Sequence, residues 1–98
     1  MQIKDLTKDA SLDDLIDALL LLENREQAAR FLKDLCTPQE ISALGERWRV
    51  CKLLNQGTLS YREIHTLTGA SLATITRVAR FLRNESNYGY QEILKKIK

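Results

Sequence analysis

The chain has 98 residues with ordinary hydrophobic and charged fractions, 44% and 29%, so we expect a single globular domain spanning residues 1–98. One proline, four glycines and no β-branched run favour an all-α fold, while the lack of any apolar stretch of 18 residues argues against a membrane partner and indicates a cytoplasmic protein. Two cysteines and one histidine are too few for a disulfide scaffold or a complete zinc site, so we expect neither metal nor cofactor, and a net charge of +2 alone identifies no partner.

A polar lead-in, residues 1–10, precedes the first predicted helix, which Ser11 and Asp14 are placed to cap. The large apolar side chains of this helix cover more than one face, and they are Leu12, Leu15, Ile16, Leu19, Leu20 and Leu22. A helix buried on two sides is difficult to arrange in so short a chain, which favours burial against a second subunit. The alternative is a central helix in a small bundle.

Two further helices are predicted before residue 57. Asn24 marks the break before a helix that runs from about Arg25 to Leu35. The segment Thr37-Pro38-Gln39-Glu40 combines a cap, a proline at the first helical position and a glutamate three residues after the cap, and Gly57 ends this third helix. Gly45 lies in its middle, where it either permits a close helix crossing or is simply tolerated.

Residues 60–83 are typical of two helices joined by a tight turn. Ser60 and Glu63 form a capping box, and Gly69 stands where a helix end favours a left-handed residue. Ser71 is placed to cap the second helix. The apolar stripe of that helix is Ile75, Val78 and Leu82. This order predicts a helix-turn-helix, whose second helix enters the DNA major groove; a plain helical hairpin is the alternative.

The exposed face of the second helix favours DNA contact. Small and hydroxyl-bearing residues can approach base edges or thymine methyl groups, and arginines supply positive charge. Four arginines against one glutamate give residues 60–83 a net charge of +3. The expected face comprises Leu72, Ala73, Thr76, Arg77, Arg80 and Arg83. The start of the chain is acidic and its end is basic, which suits a protein that presents one end to a polyanion.

A last short amphipathic helix is predicted after the polar link 84–87. Its apolar residues are Tyr90, Ile93, Leu94 and Ile97. No Ser/His/Asp or Cys/His arrangement and no glycine-rich phosphate loop is present, so we expect no catalytic residues and no enzyme activity. The acidic cluster at residues 13–17 is better explained by the dipole of the first helix than by a cation site.

Taken together, these motifs resemble the Trp repressor family. The resemblance rests on Leu35-Cys36-Thr37-Pro38-x-Glu40, Ala43-Leu44-Gly45-x-Arg47-x-Arg49, Gly57, Ser60-x-Arg62-Glu63, Gly69-Ala70 and Ala73-Thr74-Ile75-Thr76-Arg77. It covers about residues 31–97, and the chain is similar to the Trp-repressor-like proteins of Gram-positive bacteria. It implies a six-helix fold in an intertwined homodimer that reads a palindromic operator in double-stranded DNA with residues 60–68 and 71–83.

The resemblance also implies individual DNA contacts. Arg62 matches an arginine that contacts bases directly, and His65 stands where the family has a lysine near the phosphates. The groove-facing start of the recognition helix matches Leu72, Ala73, Thr74 and Thr76, and the basic residues Arg77 and Arg80 complete the candidate set.

A ligand pocket is implied by the same resemblance, with two departures. Arg47 and Arg77 match the arginines on either side of the tryptophan indole, and Thr37 matches the edge of the pocket. Val78 replaces a glycine, and Phe81 replaces a serine that holds the amino group of the ligand. We therefore expect tryptophan binding to be lost, and a different small-molecule effector stays open. The alternatives are that Arg47 pairs with a carboxylate and that Arg77 contacts a phosphate.

The leading hypothesis is a sequence-specific DNA-binding transcriptional regulator, a repressor, that acts as a homodimer without tryptophan as corepressor. The alternative is a helical protein–protein adaptor that uses the helix-turn-helix scaffold without DNA. Retention on heparin or DNA at low salt, lost steeply as the salt concentration rises, would separate the two.

Overall fold

A computed structural model describes residues 10–97, which form six helices and no strand. The helices are α1 (Ser11–Leu20), α2 (Arg25–Leu35), α3 (Pro38–Gln56), α4 (Tyr61–Thr68), α5 (Leu72–Arg83) and α6 (Gly89–Lys96). The chain divides into two compact units, Met1–Pro38 and Gln39–Lys98. The predicted all-α class is confirmed, and the polar lead-in lies outside the described residues except for Ala10.

Helix α1 begins differently from the prediction. Its N-cap position is Ala10, and no side-chain hydrogen bond caps the helix. The predicted Ser11 cap is wrong because Ser11 is already the first helical residue, so its hydroxyl is one position too far along to cap the first turn. Asp13 and Asp14 still lie in that turn, where negative charge favours the positive end of the helix dipole.

The apolar side chains of the first unit are largely exposed in the single chain. Helix α2 has its predicted limits, and the Asn24 side chain caps it by accepting a hydrogen bond from the Gln27 N–H at 2.9 Å. Neither α1 nor α2 contains a buried residue, and Leu20 is 79% exposed. The exposed apolar residues are Leu12, Ile16, Leu19, Leu20, Leu21, Leu32 and Leu35. The two-sided burial predicted for the first helix is therefore not met within one chain.

The second unit contains the hydrophobic core. Helix α3 contributes one side of the core, α4 one residue, and α5 the largest share, which makes α5 the central helix of this unit. The buried residues are Val50, Cys51, Leu54, Ile64, Ala70, Ile75, Val78, Ala79 and Leu82. Trp48, Leu53, Leu59, Tyr90 and Leu94 pack against them. The stripe predicted for the second helix of the helix-turn-helix is thus buried as expected.

The surroundings of Gly45 and Cys51 in α3 explain how each residue is accommodated. A Cβ atom added to Gly45 would meet no atom within 4 Å, so no close approach inside the chain requires this glycine. Burial raises the pKa of the Cys51 thiol to about 11, which keeps this free cysteine protonated and unreactive.

Helix length and hydropathy also bear on the membrane prediction. Among residues 10–97, no helix combines the length and the apolar character that a bilayer crossing requires.

Candidate nucleic-acid interface

Helix α4 is fixed at its start by reciprocal hydrogen bonds. The Ser60 N–H donates to Glu63 Oε1 at 3.0 Å, and the Glu63 N–H donates to Ser60 Oγ at 3.1 Å. These bonds form the predicted capping box. Hydrogen bonding to Ser60 lowers the pKa of the Glu63 carboxyl, with the larger effect from the Ser60 backbone and the smaller from its side chain. The carboxylate therefore stays charged at the positive end of the helix. Arg62, one residue earlier, is left exposed at this end of α4.

The turn between α4 and α5 is held by several hydrogen bonds. Gly69 has a φ of +77°, a left-handed conformation that strains any residue with a side chain, and its N–H donates to the His65 carbonyl at 2.9 Å. Thr68 Oγ1 donates to the Ile64 carbonyl at 2.7 Å and accepts from the Ala70 N–H at 3.1 Å. Ala70 is fully buried. The turn is therefore anchored at both its backbone and its side chains.

His65 contributes to the same turn. Its Nδ1 lies 2.6 Å from the Ala70 carbonyl oxygen, which can only accept a hydrogen bond. Nδ1 must therefore carry the proton, and the opposite nitrogen, Nε2, is the one available on this exposed side chain. The family resemblance implies a position near the phosphates for His65, and the structure adds a hydrogen bond that stabilises the turn.

Helix α5 begins with a side-chain cap and separates a buried face from an exposed one. Ser71 Oγ accepts from the Thr74 N–H at 3.1 Å and donates to Thr74 Oγ1 at 3.1 Å. The Thr74 hydroxyl is therefore engaged within the chain, and Thr74 is only half-exposed. On the opposite side from the core, the exposed residues of α5 are Leu72, Ala73, Thr76, Arg77, Arg80 and Arg83.

The predicted DNA-binding residues are thus placed on one helix-turn-helix. Of the eight, Thr74 alone is half-buried, and the other seven are exposed: Arg62, His65, Leu72, Ala73, Thr76, Arg77 and Arg80. Helices α4 and α5 are in contact, and each contributes a fully buried isoleucine, Ile64 and Ile75, to the same core. The two helices can therefore present these side chains as one surface.

The arginines of α5 are partly organised by neighbouring groups. The guanidinium of Arg77 lies 4.7 Å from the centre of the Phe81 ring, and that of Arg80 lies 5.2 Å from it, both in cation–π range. Arg80 also pairs with Glu85 at 3.2 Å, but both side chains are about half exposed, so this pair contributes little stability. Arg83 reaches back to the Leu54 carbonyl at 3.3 Å.

A cavity of about 630 Å³ opens in the same unit. This volume lies within the range of small-molecule sites, roughly 300–1,000 Å³. Its walls are Arg47, Trp48, Arg77, Phe81, Asn87, Gly89, Tyr90 and Ile93. Three of the residues assigned to a ligand pocket, Arg47, Arg77 and Phe81, are therefore brought together here. Val78 is 1% exposed in the core, and Thr37 belongs to the first unit.

Sequence reasoning missed the aromatic part of this cavity. The Trp48 and Tyr90 rings stack with centres 6.3 Å apart and planes inclined by 28°. Burial raises the pKa of the Tyr90 hydroxyl, while the positive charges of Arg47 and Arg77 act to lower it. Both guanidinium groups therefore contribute positive potential at this hydroxyl. The adjacency of Arg47 and Trp48 in the sequence was a signal, but both rings were assigned only to helix packing.

Metal binding has no support from the geometry. Among the described residues, no group of three or more histidine, cysteine, aspartate or glutamate side chains is placed to hold a metal ion. The acidic residues of α1, Asp13, Asp14 and Asp17, are exposed, as expected for a solvated helix face.

Comparison with known proteins gives a consistent set of relatives. Residues 10–98 match the family model of the Trp repressor protein. The uncharacterized protein YerC of Bacillus subtilis is 43% identical over the whole chain and 91% of its own length. A Trp operon repressor homolog of Aliivibrio salmonicida is 40% identical over 66% of this chain and 58% of its own. A Staphylococcus aureus crystal structure, named as a candidate Trp repressor, is 46% identical with a TM-score of 0.82, covering 98% of this chain and 93% of its own.

Proposed function

The chain belongs to the Trp repressor family, a family of DNA-binding regulators, and from this premise we propose that it is a sequence-specific transcriptional repressor acting as a homodimer. The proposal includes binding to a palindromic operator and independence from tryptophan. It also places the protein among regulators rather than enzymes, in agreement with its family.

One observation supports the proposal above all. The α4–turn–α5 segment is capped at both helices, locked at a left-handed glycine, and buries one side of α5 completely while exposing a face rich in arginine and small residues. Separated buried and exposed faces are common to amphipathic helices, so the positive charge of the exposed face is the feature that favours DNA over a protein partner. A helix that enters the major groove needs both a rigid support and a positively charged, sterically open face.

Selection of bound sequences from a random DNA pool, with and without tryptophan, tests the proposal. We expect one enriched motif with two inverted half-sites about one helical turn, ~34 Å, apart, since a two-fold dimer presents two recognition helices. The motif should be the same in both selections. Affinity for it should fall steeply with added salt, because the arginines release counterions from the phosphates. No enrichment and no salt-dependent retention would favour the adaptor.

The homodimer is supported by the exposed leucines of α1 and α2. We expect light scattering to give about twice the chain mass of 11.3 kDa. We further expect Leu20→Glu to raise the dissociation constant of the dimer by at least about tenfold, because a charge would enter an apolar interface. Sedimentation over a concentration series measures this change.

Leu67→Glu is the matched control for that experiment. Leu67 is 65% exposed on α4, outside the first unit, so the same charge is added without touching α1. The control should remain a dimer. A folded wild-type monomer at micromolar concentration, or equal effects of the two substitutions, would contradict the dimer proposal.

Arg62 is proposed to read a base in the major groove from the start of α4. Arg62→Ala should weaken binding to the selected motif by roughly 1–3 kcal/mol and relax the preference at one base position in each half-site. Fluorescence anisotropy with the motif and with single-base variants of it measures both effects.

Arg30→Ala provides the control, because it removes the same charge from α2, outside the helix-turn-helix. It should change binding far less than Arg62→Ala does. If Arg62→Ala weakens binding to the motif and to random DNA equally, then Arg62 contacts phosphate and does not read a base.

A further inference from the structure

The C-terminal end of α5 is joined by hydrogen bonds to two other helices of the second unit. Arg83 Nη2 donates to the Leu54 carbonyl oxygen of α3 at 3.3 Å. One residue earlier in the chain, the Leu82 carbonyl oxygen accepts a hydrogen bond from Gln91 Nε2 of α6 at 2.8 Å. Two adjacent residues of α5 therefore connect this helix to α3 and to α6.

Both accepting carbonyls belong to the last turn of a helix, where the helix itself supplies no N–H donor. Leu54 lies two residues before the end of α3, and Leu82 lies one residue before the end of α5. Both residues belong to the core, with side chains only 4% and 6% exposed. Because a carbonyl left without a partner near a core is costly, donors from other helices stabilise this arrangement.

The N-terminal end of α5 is held by different bonds. Ser71 Oγ accepts the Thr74 N–H and so caps the helix, and the left-handed turn at Gly69 joins it to α4. Helix α5 is thus fixed at both ends. All of these connections come from the chain itself, so none of them requires a bound small molecule.

We propose that Gln91 and Arg83 are positioning residues that fix the orientation of α5 and thereby restrict the half-site separation that the homodimer accepts. This inference rests on the proposed function, because it requires two α5 helices on one DNA duplex. It deepens that function by naming the interactions that hold the recognition helices without tryptophan. It also assigns the charge of Arg83, expected from the sequence to lie on the DNA-binding face, to a contact inside the protein.

The separation of the half-sites provides the readout. One base pair inserted between the half-sites of the selected motif moves one of them by about 3.4 Å and rotates it by about 34°. A dimer with fixed recognition helices must then lose DNA contacts or break a connection at α5. We therefore expect the wild-type protein to bind the shifted motif on the order of 100-fold more weakly than the selected one, the share of specificity that one half-site carries.

Gln91→Met removes the hydrogen-bond donor and keeps a side chain of similar length. The shifted motif then binds without the cost of breaking this bond. The ratio of the two dissociation constants, shifted over selected, should fall about fivefold, since that factor corresponds to one net hydrogen bond. A variant that is merely less stable would bind both motifs more weakly by the same factor and keep the wild-type ratio. Fluorescence anisotropy with the full-length protein measures both constants, and circular dichroism confirms folding.

Two control variants accompany this measurement. Gln91→Lys retains a donor for the Leu82 carbonyl and should keep the wild-type ratio, although its added charge strengthens binding to both motifs. Gln56→Met makes the same substitution at an exposed glutamine that ends α3, and it should keep the ratio as well.

Arg83→Met distinguishes a positioning role from a phosphate contact. For a positioning residue, the ratio falls about fivefold and the salt dependence of binding to the selected motif stays unchanged. For a phosphate contact, the ratio stays as in the wild type, and the slope of log affinity against log salt concentration falls by about one for each half-site. The second outcome overturns the role of Arg83.

The outcomes also separate this inference from the function beneath it. A wild-type ratio in Gln91→Met overturns the positioning role of Gln91 and leaves the regulator proposal intact, as does an equal fall in the ratio for Gln56→Met. If Gln91→Met does not fold, the exposed Arg83 still tests the connection through Arg83→Met. Absence of any motif-specific binding by the wild-type protein overturns the proposed function itself.

Discussion

Ile75→Ala is expected to lower the free energy of unfolding by about 2–5 kcal/mol, the range for removing a buried isoleucine side chain. Ile75 is fully buried and lies in α5, the helix that contributes most to the core. A domain of this size has a total stability of only about 5–15 kcal/mol, so the loss is a large fraction of it. We expect specific DNA binding to fall with it, because α5 is also the proposed recognition helix.

Urea unfolding followed by circular dichroism measures this effect, with wild type and variant at the same protein concentration because dimer stability depends on concentration. Thr76→Ala is the control, one residue further along the same helix but exposed. It should change stability by no more than about 0.5 kcal/mol. A cost below about 1 kcal/mol for Ile75→Ala would show that the core described here is not what stabilises the fold.

The helix-turn-helix could be predicted closely because its limits are set by local chemistry. Ser60, Glu63, Gly69 and Ser71 each satisfy a backbone group within a few residues, and all four occupy the expected positions. The start of α1 could not be predicted equally well. Serine caps a helix only when it lies immediately before the first helical residue, and the helix begins one residue earlier than the preference for serine over alanine at the cap predicts.

The cavity depended on contacts that the sequence does not encode locally. Trp48 and Tyr90 are far apart along the chain and meet only because residues of α3 and α6 both pack against the core. The backbone just before α6 has an unexpected conformation, because Tyr88 has a φ of +68°, where glycine is usual. Gly89, the next residue, was the more natural candidate, so no sequence rule identified this position.

Tryptophan is expected to bind at millimolar concentration or not at all, and DNA binding should not depend on it. The cavity is large enough for a small molecule, so the argument rests on its chemistry. No carboxylate is among its lining residues, which include two arginines. A ligand carboxylate is favoured there, but the ammonium group of tryptophan gains no anionic partner.

Phe81 reinforces this discrimination. Its ring stands in the cavity wall and already lies against the guanidinium of Arg77 at 4.7 Å, so one of the two arginines proposed to hold an indole is engaged by the protein's own aromatic ring. Burying an ammonium group without an anionic partner costs on the order of a few kcal/mol. A micromolar and a millimolar dissociation constant differ by only about 4 kcal/mol, so this cost is sufficient.

Calorimetric titration with tryptophan tests the expectation, with its desamino analogue, 3-(indol-3-yl)propanoate, as the control. The analogue lacks only the ammonium group and should bind more tightly than tryptophan if the missing anionic partner decides the affinity. Equal and negligible binding of both would instead identify a steric cause. Micromolar binding of tryptophan would show that the cavity supplies a partner for the ammonium group, and that our interpretation of Val78 and Phe81 is wrong.

The double substitution Val78→Gly with Phe81→Ser tests the same expectation by restoring the two residue types that these positions replaced. Val78 is 1% exposed in α5, so its removal leaves a hole in the core and places a glycine inside a helix. We expect a loss of about 3 kcal/mol in stability from these two effects. The serine hydroxyl supplies an additional acceptor for the ammonium group, and the Arg77 guanidinium is released from the Phe81 ring. Weak tryptophan binding should then become measurable, and a stable, folded double variant that still ignores tryptophan would locate the barrier elsewhere in the cavity.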